Sequence, residues 1–138
     1  DKLSPKNLDK FIGESLDRPL KVAWKNVYGK ELIKFINSCK VVLNLHYSEL
    51  LNTESRIYEV LGSGGFCLSE PISYPELFLD GVHFKVESEE GLFREAIKYA
   101  TLKTKEAETM AYEGYSHVHN RFEINKVLNQ LVERIIKL

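Results

Sequence analysis

Short apolar runs alternate with apolar positions at helical spacing along most of this chain. Leu20-Lys-Val-Ala-Trp24 alternates and predicts a short strand. After a turn at Tyr28-Gly29, Leu32, Ile33, Phe35 and Ile36 recur as on one face of a helix, predicting Lys30 to Cys39 as helical. Lys40-Val-Val-Leu-Asn-Leu45 is an apolar run broken by one asparagine, the pattern of a strand buried on both faces. A polar loop, His46 to Thr53, leads to a predicted helix over Glu54 to Ser63, with Thr53 as N-cap and Gly64-Gly65 as its stop. Phe66-Cys-Leu-Ser69 is a second buried strand, Tyr74 to Leu79 a short helix, and Val82 to Val86 a third strand. Three helices follow. Ser88 to Lys103 has Ser88 as N-cap, and Lys105 to His117 is shorter. Phe122 to Leu138 carries Ile124, Leu128, Leu131 and Ile135 on one face and reads as a core helix, with an interface as the other reading of that surface.

Before Pro19 the periodicity is weak, giving loop with a short helix around Leu8 to Leu16. Strands separated by helices imply a parallel sheet with helices on both faces, an α/β Rossmann-like fold. The expected organisation is one domain over residues 1–138, with an irregular segment at 1–19 and a C-terminal helix at 121–138. In such folds ligands sit at the carboxyl ends of the strands, which selects Asn44 to Ser55 and Ser69 to Tyr74.

Composition narrows the classes. The chain has 138 residues, 43% hydrophobic and 28% charged, so it is globular and large enough for a core. A net charge of -1 supplies no general field for nucleic acid, and neither a membrane span nor a signal peptide is visible. A cytoplasmic location is the default expectation. The chain opens on Asp1 rather than methionine, which fits a fragment or a processed form. Its two cysteines, Cys39 and Cys67, lie in apolar runs and read as buried thiols without ligand spacing. His117 and His119 form an H-x-H pair whose side chains diverge on a helix, so no metal site is expected.

The candidate site centres on Asn52-Thr-Glu-Ser-Arg-Ile-Tyr-Glu59. A helix starting just after a strand-end loop offers free N–H groups to a phosphate, and a glutamate one turn in can reach a sugar hydroxyl. On spacing alone, Arg56 and Glu59 read as a solvated i, i+3 ion pair. A carboxylate also accepts from both vicinal hydroxyls of a ribose, and the planar fork of an arginine suits a diphosphate. Gly62-Ser-Gly-Gly65 is not a phosphate loop, because here the order is helix, glycines, strand. Tyr28 and Gly29 stand ahead of a helix and either present backbone N–H groups to a ligand or form a plain turn. Asn44 either bonds a neighbouring loop or faces the site, and His46 with Tyr47 could stack on or hydrogen-bond a base or sugar.

An ordered series of segments carries a family resemblance: Tyr28-Gly-Lys-Glu-Leu32, Lys40-Val-Val-Leu-Asn44, Ser55-Arg-Ile-Tyr-Glu59, Gly62 to Leu68, Gly81-Val-His-Phe-Lys-Val86, Glu89-Glu-Gly-Leu92 and Ala111 to Val118 with His119 and Arg121. Over about Val27 to Leu131 the chain resembles the C-terminal, donor-binding half of a GT-B glycosyltransferase. It is most similar to the CgeB-like group of glycosyl transferases family 1, in the family 4-like clan. The resemblance implies a nucleotide-sugar donor, no metal or other cofactor, and a separate N-terminal acceptor-binding domain. It assigns the ribose to Glu59 and the diphosphate to Arg56; the expected donor-binding set adds Ser55, Tyr28, Gly29, Asn44 and His46. It names no catalytic residue, and the isolated half is expected to turn over little or nothing as a hexosyltransferase-like enzyme. The earlier glutamate of the family 4 E-x7-E pattern is replaced by Leu51. The alternative function is a non-catalytic Rossmann-like module that binds a nucleotide or a partner. A receiver-like domain is discounted, because Asp1, Asp9, Asp17 and Asp80 end none of the expected core strands.

Overall fold

The computed structural model describes residues 27–46 and 55–137. The expected helix at Leu8 to Leu16, the strand at Leu20 to Trp24 and the Thr53 cap lie outside the described residues. Among the described residues, eight elements follow in the order α1 (Gly29–Ser38), β1 (Val42–Asn44), α2 (Ser55–Gly62), β2 (Cys67–Ser69), β3 (Lys85–Val86), α3 (Glu89–Thr101), α4 (Thr104–Arg121) and α5 (Ile124–Ile136). The three strands form one parallel sheet in the order β1-β2-β3. Asn44 pairs with Ser69, and Ser69 with Val86, so these three residues form its carboxyl edge. The fold is the expected α/β Rossmann-like layer.

The core divides where the period-2 geometry of β2 divides it. Cys67 points into a cluster with Ile36, Ile57, Val60, Leu61, Phe78 and Phe84, which α1 and α2 cover. Its neighbours Phe66 and Leu68 point the other way, into a cluster with Leu92, Tyr99, Ala107 and Met110 from α3 and α4. β2 is therefore buried on both faces, as its unbroken apolar run implies.

Local chemistry sets the ends of α2. Gly64 takes φ 79°, its N–H donates to Leu61 O at 2.9 Å, and the Gly65 N–H donates to Val60 O at 2.9 Å. Those two bonds are a Schellman closure, and the left-handed residue at its centre favours glycine. Gly65 also lets α1 approach, since a Cβ there would stand 2.5 Å from Ile36 Cγ2.

Several expectations are corrected. Tyr74 to Leu79 is a chain of turns, not a helix. The Leu79 backbone is committed elsewhere. Its N–H donates to His83 Nδ1 at 3.0 Å, and its carbonyl accepts from Val82 and His83. The same turn shortens the third strand to Lys85–Val86, where the Asp80 carboxylate accepts from the Val86 N–H at 2.7 Å and pairs with Lys85 Nζ. Ser88 caps α3 without a side-chain bond; instead Glu87 accepts from the Ser88 N–H and Oγ, which holds the Glu87 carboxyl below its usual range. α4 runs to Arg121, well past His117. Cys67 is buried as expected, whereas Cys39 is only half-buried at the C-cap of α1.

The largest correction concerns α5. Glu123 caps it by accepting from the Asn125 and Lys126 N–H groups, but no residue of the helix is buried. Ile124, Leu128, Leu131 and Ile135 are exposed, so it is not a core helix among the described residues. Amphipathic spacing shows which side is apolar, not whether anything covers it. No helix among the described residues is long and apolar enough to cross a membrane.

Candidate functional site

In a parallel sheet with helical crossovers, each helix runs against its strands, so the N-terminal turns of α1 and α2 lie on the carboxyl-edge side. That edge is tied together by buried polar groups. Asn44 is 2% exposed and Ser69 fully buried. Asn44 Nδ2 donates to Ser69 Oγ at 3.0 Å, and the Ser69 hydroxyl donates onward to Glu70 O at 2.7 Å. The Glu70 N–H donates to Asn44 O, and the Glu70 carboxylate accepts from the His46 N–H. The His46 ring closes the set, with Nε2 2.7 Å from the Pro71 carbonyl. Linked hydrogen bonds of this kind, buried at Asn44 and Ser69 and half-buried at Glu70 and His46, hold their members in one geometry.

Beside this edge lies a cavity of about 280 Å³ lined by Leu43, Asn44, Leu45 and Arg56. Asn44 thus does both things its position allows: it bonds the neighbouring strand end and lines a cavity with Arg56. Arg56 stands in the first turn of α2 after Ser55, which is exposed. Arg56 Nε lies 3.4 Å from Glu59 Oε2, with the two side chains 57% and 45% exposed. An ion pair so exposed contributes only a few tenths of a kcal/mol. It is therefore easily exchanged for a stronger ligand. Burial drives the Cys67 thiol up to about 12, opposed by the charge of Arg56, so this thiol is no nucleophile.

Tyr28 and Gly29 open α1. Tyr28 is 76% exposed with an extended backbone and no side-chain cap bond. Gly29 takes φ 56°, and a Cβ there would meet nothing within 4 Å, so its requirement is backbone freedom and not space. Neither residue lines the cavity that Asn44 shares with Arg56.

Sequence reasoning selected the segment Ser69 to Tyr74 but not Glu70 and Pro71 individually, which fix His46. Only the expectation that β1 and β2 are adjacent could have paired them. It also missed a cleft of about 730 Å³ between α4, α5 and the turn before β3, lined by His83, Glu113, His117, Arg121 and Gln130 among others. There the rings of His83 and His117 stack at 4.0 Å, and His117 Nε2 donates to Leu77 O at 2.8 Å. Burial, then the neighbouring His117, hold His83 below the usual imidazole range, against the opposite pull of Glu113. His119 Nε2 instead donates to Gly62 O, so the two residues of the H-x-H pair serve different contacts. No group of three or more His, Cys, Asp or Glu that could hold a metal occurs among the described residues.

A parallel sheet with helices on both faces and a polar, arginine-flanked carboxyl edge is shared by many nucleotide-binding proteins, so the fold alone does not select a family. Comparison with curated proteins gave no match. Comparison with solved structures gave none either. A family model described as glycosyl transferase-like matches residues 8–133, nearly the whole chain, and on that match the chain belongs to the glycosyl transferase-like family.

Proposed function

We propose that this chain is the donor-binding domain of a GT-B glycosyltransferase of the CgeB-like kind, taking a nucleotide-diphosphate sugar. The reading rests on one observation above the family membership: Arg56 in the first turn of α2 shares a cavity with buried Asn44 at the carboxyl edge of the sheet. Arg56 and the first-turn N–H groups of α2 hold the diphosphate. Glu59, released from its exposed pair, accepts from the ribose hydroxyls. In the reaction the bond between the anomeric carbon and the diphosphate oxygen breaks, and an acceptor oxygen takes the sugar while giving up its proton. Arg56 stabilises the charge that develops on the leaving diphosphate. No metal takes part in this scheme, and a second domain supplies the acceptor site.

Calorimetric titration of the chain with UDP, GDP and ADP tests the reading, repeated on Arg56→Ala and Glu59→Ala. One nucleotide should bind saturably. Loss of the charge-assisted bonds in Arg56→Ala should weaken it roughly tenfold or more, and Glu59→Ala should weaken it severalfold. A folded wild-type chain that binds none of the three at millimolar nucleotide would overturn the reading and favour a non-catalytic module.

A further inference from the structure

The cleft between α4, α5 and the turn before β3 holds a hydrogen-bond donor that the fold leaves unused. His83 is only 9% exposed. Its Nδ1 accepts from the Leu79 N–H at 3.0 Å, so the proton of the neutral ring sits on Nε2. Nε2 has no hydrogen-bond partner among the described residues, where His46 Nδ1 is the one polar side-chain atom both unpartnered and sealed from solvent. Nε2 therefore reaches the cleft that His83 lines. The ring cannot swing away, since the Leu79 bond and the stack on His117 at 4.0 Å hold it. A donor so nearly buried and so fixed is placed for an acceptor on a ligand.

The rest of the lining narrows the ligand. The volume, about 730 Å³, lies within the range of small-molecule sites and far exceeds what an ion needs. Asn120 and Gln130 bring amides, which donate and accept at once, as a hydroxyl does. Phe122 and Val127 add apolar surface, which suits the C–H face of a pyranose ring. Arg121 and Glu113 offset each other, so the cleft has no strong field for a phosphate or another anion. We propose that this cleft binds a neutral oligosaccharide, with His83 Nε2 donating to a sugar oxygen and the Asn120 and Gln130 amides bonding neighbouring hydroxyls. The cleft shares no lining residue with the Asn44–Arg56 cavity, so the proposal does not rest on the nucleotide-sugar reading. In a glycosyl transferase-like chain, such a site keeps a glycan at raised local concentration.

The test is titration of the isotope-labelled chain, followed by its amide and imidazole NMR shifts, with maltotetraose, cellotetraose, chitotetraose and mannotetraose, and separately with inorganic phosphate. At least one saccharide should shift the His83, His117 and Gln130 resonances saturably, and phosphate should not. Gln130→Ala should weaken that binding about threefold or more. Gln130 is exposed, so this variant tests the cleft whatever the stability of the next one. His83→Asn keeps an acceptor for the Leu79 N–H but loses the Nε2 donor, and should weaken the saccharide as much. Arg56→Ala, in the other cavity, should leave saccharide binding unchanged. No shift with any of the four saccharides at millimolar concentration would overturn the proposal. So would shifts centred on Asn44 and Arg56, phosphate in place of saccharide in the cleft, or an affinity indifferent to Gln130→Ala. A chain that binds saccharide but no nucleotide keeps this proposal and loses the nucleotide-sugar reading.

Discussion

Substituting Gly114 by alanine should destabilise the protein, against the intrinsic preference of its helix. Gly114 lies in the middle of α4. At an exposed helix position the change would stabilise by roughly 0.5–1 kcal/mol. Here an added Cβ would stand 2.5 Å from the His83 carbonyl oxygen and 2.8 Å from Leu61 Cδ2. Leu61 is fully buried, and the His83 carbonyl belongs to a turn pinned at Leu79 and β3. Neither gives way cheaply, so α4 has to back off by roughly 1 Å to restore ordinary contact distances. That shift loosens the His117–His83 stack and the Phe122–Tyr58 contact, which come from the same stretch. Overpacking of this kind costs about 1–3 kcal/mol, which exceeds the propensity gain. The net expectation is a loss of about 1–2 kcal/mol, measured by urea unfolding followed by far-UV circular dichroism. Gly62→Ala is the internal control. Its Cβ would meet only Val118 Cγ1 at 3.5 Å, an ordinary contact, so it should stabilise by up to about 1 kcal/mol. A Gly114→Ala protein as stable as the parent, or two variants that shift the same way, would refute the packing argument.

The depressed His83 titration makes stability depend on pH. Because the unfolded chain takes up this proton more readily than the folded one, stability is unaffected well above pH 6.5, falls as pH drops through that unfolded value, and levels off below the folded one. Urea midpoints between pH 5 and 8 should show this slope, and His83→Leu should flatten it even if its absolute stability is lower. Asn44→Asp buries a negative charge in the cavity that Arg56 shares. It should draw Arg56 off the ligand and repel a diphosphate, weakening nucleotide binding about tenfold; a repulsion of roughly 1.5 kcal/mol at ~10 Å in an effective dielectric near 20 suffices. Unchanged affinity in a folded Asn44→Asp protein would place the anion elsewhere. EDTA added to the nucleotide titration should leave the affinity unchanged, and a loss reversed by Mg²⁺ would contradict the metal-free scheme.

The elements readable in the sequence were those whose signal is local. The places of β1 and β2, the helix stop at Gly64-Gly65 and the period of α3 all rest on residues that touch within one element or on an apolar run, although only β2 is buried on both faces and β1 is half-buried apart from Asn44. The elements misread depend on distant partners. Tyr74 to Leu79 looks helical until His83 takes the Leu79 N–H, and Val82 to Val86 looks like a strand until the same turn consumes its first residues. The extent of α4 is set by aromatic contacts of His117 and Phe122 with Phe78 and Tyr58. For α5 the spacing identified an apolar face, and its exposure is a tertiary fact that spacing does not encode. At the candidate site, the Arg56–Glu59 pair was readable from its i, i+3 spacing, and Asn44 stood out as a polar residue in an apolar run that proves to line a cavity with Arg56. Glu70 was not, because a carboxylate in a loop carries no mark of the backbone N–H it holds.

The site separates what must stay still from what must give way. Asn44, Ser69 and the His46 backbone are held by neutral and charge-assisted bonds at the junction of two parallel strands, and their partners are satisfied. Losing any of these bonds would cost the fold about 1 kcal/mol or more, so the edge keeps its shape whether or not a ligand is bound. The Arg56–Glu59 pair is the opposite case, long at 3.4 Å, half-exposed and worth a few tenths of a kcal/mol. In the proposed donor complex a diphosphate would offer Arg56 charge-assisted bonds worth about 1.5–3 kcal/mol each, so exchanging one partner for the other would run downhill and free Glu59 for hydroxyls in the same step. By itself such a pair is the commonest feature of a helix surface. What distinguishes it here is its neighbour: a rigid, buried asparagine at a strand end, sharing a cavity with the arginine.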